Sequence, residues 1–355
     1  MPRIPEYRES ILEEHYVALQ REVEKYSDRP ISTVLEHKIE SIGDDIDKIE
    51  HRRQNFRASE DDQRLYSRYI AKLDTVQGHI EELERTLTYL ELHDTHRQRF
   101  SERVCLADYI CTEITEALNL EISCLPVVRD GYALLPLFGD EYHIVFIPRG
   151  EELLPQAPIL AHEVAHPLLL RAQKSPSFTD RFGKLRRSID DDGRKRDFYE
   201  NWLQWYEELF CDVVGFFVFG PAYAFALLHH LFEQKPFRIS RNVTPRDNAL
   251  HPPDALRIRT TLDLVDEQLS PELREPLEPL RTEYERHLSR LSDSRPSYYD
   301  EWADDELVAG TVTTARNAAE YELEQLCTEL RNGTDPNEAD GMQYRLEANY
   351  YWYED

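Results

Sequence analysis

The chain has 355 residues, 41% of them hydrophobic, which excludes a disordered protein and allows a large core spread over two structural units. Asp and Glu number 69 against 42 Lys and Arg, a formal net charge of -27, and Lys supplies only eight of the 42 (25, 38, 48, 72, 174, 184, 195 and 235). That balance argues against a nucleic-acid partner, which needs a basic patch, and is the composition expected of a halophilic protein working in concentrated salt, where self-repulsion is screened.

The opening residues, MPRIPEYRESILEEHY, contain no apolar signal segment, and the five cysteines (Cys105, Cys111, Cys124, Cys211 and Cys327) form no CxxC pair. Reduced thiols in a cytoplasmic protein are therefore expected. Three apolar runs follow, alternating spacings of three and four: Leu12, Tyr16, Leu19, Val23 and Tyr26; Leu35, Ile39, Ile42, Ile46 and Ile49; then Tyr66, Tyr69, Leu73, Val76, Ile80, Leu83, Leu87 and Leu90. This spacing is the seam of a coiled coil. Asp28-Arg29-Pro30 separates the first two runs and Ala58-Ser59-Glu60-Asp61 the last two, and breaks this short favour an antiparallel hairpin or three-helix bundle over residues 1–100. Such a bundle packs on the rest of the chain, or projects to bind a partner or a second copy.

A helix through Asp108 to Leu118 leads into ISCLPVV, GYALLPL and YHIVFIP, three candidate strands, the last two joined by a Gly139-Asp140 turn signal. The apolar run APILAHEVAHPLLL comes next, and within it His162-Glu163-Val164-Ala165-His166. On a helix, residues four apart share a face, so both imidazoles can bind one metal ion while the carboxylate of Glu163 reaches the water that the metal activates. Pro167 lacks the amide that would bond the carbonyl of Glu163, so the helix is expected to kink or end there.

Lys174 to Trp202 is densely charged and suits a solvated loop, an exposed helix or a lid beside the cleft. WYEELFCDVVGFFVF then places Glu208 and Asp212 four apart on an apolar helix. An acid pair there is costly unless a cation meets it, so Glu208 is the candidate third metal ligand and Asp212 the candidate partner for the outer nitrogen of a ligating histidine. Val213 to Leu228 is uncharged but too short to span a membrane and is interrupted by Gly220-Pro221, which favours a buried core helix broken at the proline. HPPDALRI follows at His251 to Ile258, its prolines and Asp254 suiting a helix start, and Val308, Val312, Ala315, Ala319, Leu323, Leu326 and Leu330 mark a late amphipathic helix. The tail, 336–355, ends Tyr350-Tyr351-Trp352-Tyr353 and is expected to dock.

With HExxH, a later ExxxD, and HPPDALRI in the place of an HPxxxxRI element, residues 130 to 262 resemble the gluzincin zinc metallopeptidases of the HtpX and CAAX-prenyl-protease type. The resemblance implies a mainly α fold with a small β-sheet: a zincin-like domain over 101–335 beside the N-terminal coiled-coil bundle. It implies a zinc endopeptidase acting on a protein or peptide, with one Zn2+ held by His162, His166 and Glu208 and with Glu163 as general base. His251, then Tyr223, are the candidate donors to the oxyanion. It also implies that Tyr142 to Pro148 borders the cleft and pairs with extended substrate, although a plain sheet strand suits the same residues. Relatives of this type are often membrane-embedded; this chain gives little sign of it. The rival reading is a non-catalytic coiled-coil adaptor that retains a metal-binding peptidase-like domain.

Overall fold

The computed structural model describes residues 4–58, 63–129, 131–137, 141–149, 153–172, 196–233, 254–294 and 306–333, with Asp180, Gly183, Lys184, Arg187 and Pro252 besides. Among them the chain is mainly helical with one small sheet, and it divides into two compact units. The first comprises Met1–Val104, Leu125–Val128 and Leu135–Ile144; the second Cys105–Cys124, Arg129–Leu134 and Val145–Asp355.

In the first unit the three-and-four spacing produces three long helices, α1 (Ile4–Glu24), α2 (Ser32–Ala58) and α3 (Gln63–Arg99), each packed on the other two. Their apolar seams are mostly buried from Leu12 through Leu90; Tyr16 and Ile46 are half-buried and Tyr66 is 41% exposed. Ion pairs fix the directions. Arg8 meets Asp74 at 2.8 Å and Arg29 meets Asp94 at 2.6 Å, so α1 and α3 run the same way. Lys38 meets Glu82 at 2.6 Å while Asp45 meets Lys72 at 2.7 Å, so α2 runs against α3. The result is an up-down-up bundle, with the Asp28-Arg29-Pro30 break between α1 and α2. Near the end of α3, His93 Nδ1 donates to the Pro126 carbonyl at 2.8 Å and His96 Nδ1 accepts from the Val128 amide at 3.0 Å. Those two bonds satisfy main-chain groups that burial would otherwise orphan.

α4 (Ser101–Ala117) precedes the sheet of β1 (Ser123–Arg129), β2 (Ala133–Pro136) and β3 (Tyr142–Pro148), whose spatial order is β1-β3-β2. β3 is therefore the interior strand, buried from His143 to Pro148. Among the described residues β3 has a strand neighbour on each side, which favours the plain sheet strand over the expectation that it pairs with a substrate. The Gly139-Asp140 turn lies outside the described residues.

The second unit is organised around α7 (Arg196–Phe219), which packs against α6 (Ile159–Ala172), α8 (Pro221–Glu233), α9 (Asp254–Gln268) and α12 (Glu306–Gly333). Its face is apolar and large: Trp205, Tyr206, Phe210 and Phe216 are fully buried. α7 ends where Gly220 adopts a left-handed φ of 56°, and Pro221 begins α8, so the uncharged stretch becomes two buried helices at a corner. No helix among the described residues is long and apolar enough to cross a membrane. α5 (Leu153–Gln156), α10 (Pro271–Arg274), a 3₁₀ turn at Glu275–Leu277 and α11 (Glu278–Ser294) complete the order.

α6 does not stop at Pro167 but continues through it to Ala172. Val164, Ala165, Leu168 and Leu169 are fully buried, and packing against α7 holds the turn that the missing amide leaves open. Of the charged stretch after Lys174, Arg196 to Trp202 form the first turns of α7. The rest of that stretch, apart from four isolated residues, lies outside the described residues, as do the expected lid and the tail at 336–355. Cys105, Cys111, Cys124 and Cys211 form no disulfide, and all but Cys105 are buried.

Candidate metal centre

His162 and His166 project from one face of α6, one turn apart, with their rings edge to face at a centroid distance of 5.3 Å. Glu208 comes from α7, which packs directly on α6. One ligand atom from each of the three lies within 4.8 Å of the others, and His162 and Glu208 are buried. His162 Nε2 lies 3.3 Å from Glu208 Oε2. Glu163 sits between the histidines in sequence and is 8% exposed.

The second nitrogen of each ring is engaged by a carboxylate of α7. His162 Nδ1 bonds Asp212 Oδ1 at 2.8 Å, and His166 Nδ1 bonds Glu207 Oε1 at 3.0 Å. A carboxylate on Nδ1 fixes that proton and leaves Nε2 of each ring as the nitrogen offered to a shared ion. This group could hold a metal ion, and two imidazole nitrogens with one carboxylate oxygen are a donor set that suits zinc among divalent ions.

Asp212 is the hub behind this set. Besides His162 it accepts from Tyr223 Oη at 2.6 Å and from Arg257, whose Nε and Nη2 reach its two oxygens at 2.8 and 2.7 Å. Burial alone would raise the Asp212 carboxyl, but Arg257 and His162 outweigh it and hold Asp212 far below the usual carboxylate range. Burial likewise disfavours charge on His162, yet Asp212 and Glu208 prevail and raise it to about 10. As an imidazolium, His162 thus donates to Asp212 through Nδ1 and faces Glu208 through Nε2; as a ligand it gives up the Nε2 proton. His230 is pushed down to about 4, first by burial and then by Arg257 and His162, which keeps it neutral.

The predicted residues therefore separate. His162, His166, Glu208 and Asp212 are brought together on α6 and α7, and Glu163 follows His162 on α6. His251 lies outside the described residues. Tyr223, the second candidate oxyanion donor, is fully buried and commits its hydroxyl to Asp212, on the Nδ1 side of His162 rather than the Nε2 side that faces Glu208. In that position it supports Asp212. Sequence reasoning gave no role to Glu207 or Arg257. Glu207 is masked by the neighbouring Glu208, since adjacent residues on a helix point about 100° apart and only the ring positions show that both are used. Arg257 lies inside HPPDALRI, the penultimate residue of the element, so the signal was present without a partner to name.

No protein-family model, curated protein or solved structure matches this chain.

Proposed function

We propose that the chain is a zinc-dependent endopeptidase, with His162, His166 and Glu208 holding one ion and Glu163 acting as general base. The observation that carries this reading is the pairing of each HExxH imidazole with its own carboxylate, Asp212 for His162 and Glu207 for His166. Ligand histidines need such partners to fix tautomer and orientation. Chance copies of the motif do not.

Bound there, zinc would supply Lewis acidity toward a peptide carbonyl and would acidify water. The chain's own groups do the rest. Glu163, one position after a ligand and on the same helix, takes a proton on its carboxylate from the attacking water and delivers it to the leaving amine nitrogen. Low exposure of Glu163 strengthens its hydrogen bonding by removing competing solvent. Asp212 and Glu207 hold the imidazoles throughout.

Metal analysis of the purified full chain should find one zinc per chain, lost on His162→Ala. Glu163→Gln should retain that zinc and lose peptide cleavage by about 10²-fold or more. Unchanged turnover in Glu163→Gln would remove the general-base assignment, and wild-type protein with no stoichiometric metal would remove the site.

A further inference from the structure

The two histidines are not held alike. Glu207, the partner of His166, is 36% exposed and reaches that ring through one contact at 3.0 Å. Asp212 is 1% exposed and sits at the meeting point of four helices, taking His162 from α6, Tyr223 from α8 and Arg257 from α9 while standing on α7 itself. Arg257 is part-buried, its side chain 11% exposed, and its remaining terminal nitrogen, Nη1, stands 3.6 Å from Glu208 Oε2. One guanidinium therefore touches both the carboxylate that orients a candidate ligand and a carboxylate that is itself a candidate ligand.

That arrangement answers a physical problem. Asp212 and Glu208 place two carboxylates in a site from which water is largely excluded, where an uncompensated charge costs several kcal/mol. Arg257 supplies a permanent cation between them, because guanidinium does not deprotonate. Its fork also fixes the plane of the Asp212 carboxylate through two parallel bonds, which a point charge would not do. Tyr223, the neutral donor on the same oxygen as His162, adds direction without charge.

We propose that Arg257 is a positioning residue of the metal centre, acting through Asp212 to present His162 Nε2 to the ion and holding the Glu208 carboxylate in place. The proposal rests on the metal-site reading above, and the experiment separates the two. Zinc affinity of the full chain is measured by competition with a chromophoric chelator, and geometry at the site by the visible spectrum of the cobalt(II)-substituted protein. Arg257→Lys keeps the charge and loses the fork; it should weaken zinc by about 10- to 100-fold and alter the cobalt spectrum. Arg257→Ala should weaken it further, with part of the affinity and the wild-type spectrum returning when millimolar guanidinium ion is added, a rescue that a merely structural role would not give. If Arg257→Ala fails to fold, Arg257→Lys decides alone. Wild-type zinc affinity and an unchanged cobalt spectrum in Arg257→Lys would overturn the positioning role and leave the metal site standing. A wild-type chain that binds no zinc would overturn both.

Discussion

A single buried side chain shows how charge is managed outside the candidate centre. Asp45 on α2 is 11% exposed at its side chain and accepts from Lys72 at 2.7 Å and Lys48 at 3.0 Å. Burial pushes its carboxyl up, but the two ammonium groups outweigh burial and leave it below its ordinary value. A carboxyl depressed by folding stabilises the fold above its unfolded pKa, near 3.9, and loses that contribution as pH falls through the lower folded value. Asp45→Asn should therefore cost about 1.5–3 kcal/mol at pH 7, the worth of hydrogen bonds to charged groups. Denaturant unfolding of both proteins at pH 7 and near pH 3 checks the sign. The deficit should shrink at the acid end, and an equal deficit at both pH values would show that Asp45 contributes by something other than its charge.

At the scale of elements, α7 and α8 meet so closely that one atom decides the fit. Gly215 lies on α7 three residues after Asp212, and a Cβ there would fall 2.3 Å from Cε2 of the Tyr223 ring. Helix propensity by itself predicts that Gly215→Ala stabilises by about 0.5–1 kcal/mol. Overpacking predicts the opposite, a loss of about 1–3 kcal/mol, with the Tyr223 hydroxyl pulled off Asp212. The second should win because the obstruction is a buried ring with no open space to enter. Thermal unfolding of Gly215→Ala gives the sign, and adding Tyr223→Leu should recover part of any loss; a stabilised Gly215→Ala would sink the account. This contact also marks what the sequence could tell. The seams of α1 to α3, the extent of β3 and the joint at Gly220-Pro221 were legible because each follows from local periodicity or from the dihedral limits of a single residue. The grouping of His162, His166, Glu208 and Asp212 was legible because helical spacing sets it. The central place of β3, the continuation of α6 past Pro167, the second use of α7 through Glu207 and the tie from Arg257 to Asp212 were not, since all four depend on which surfaces meet.

Across the whole molecule, acidic residues outnumber basic ones 69 to 42, and the surplus is too large for local pairing to absorb. Exposed pairs such as Arg8 with Asp74, at 31% and 61% exposure, are each worth about 0–1 kcal/mol and weaken with salt. If those pairs dominated, added salt would lower stability. The net charge of -27 works the other way: every surplus carboxylate is repelled by the rest over the Debye length, about 10 Å at 0.1 M and about 3 Å at 1 M, so salt removes a repulsion that grows with the square of the surplus while pairs are lost only one by one. Repulsion should win. The midpoint of thermal unfolding should rise between 0.1 and 2 M KCl, by about 2–4 °C for each 1 kcal/mol gained in a unit of about 150–250 residues. Sucrose separates charge from excluded-volume effects, because it strengthens burial without screening. A rise in KCl well beyond that in sucrose identifies the surplus carboxylates as the cause; an equal rise in both, or a fall in KCl, would show that the acidic surface is not what limits this fold at low salt.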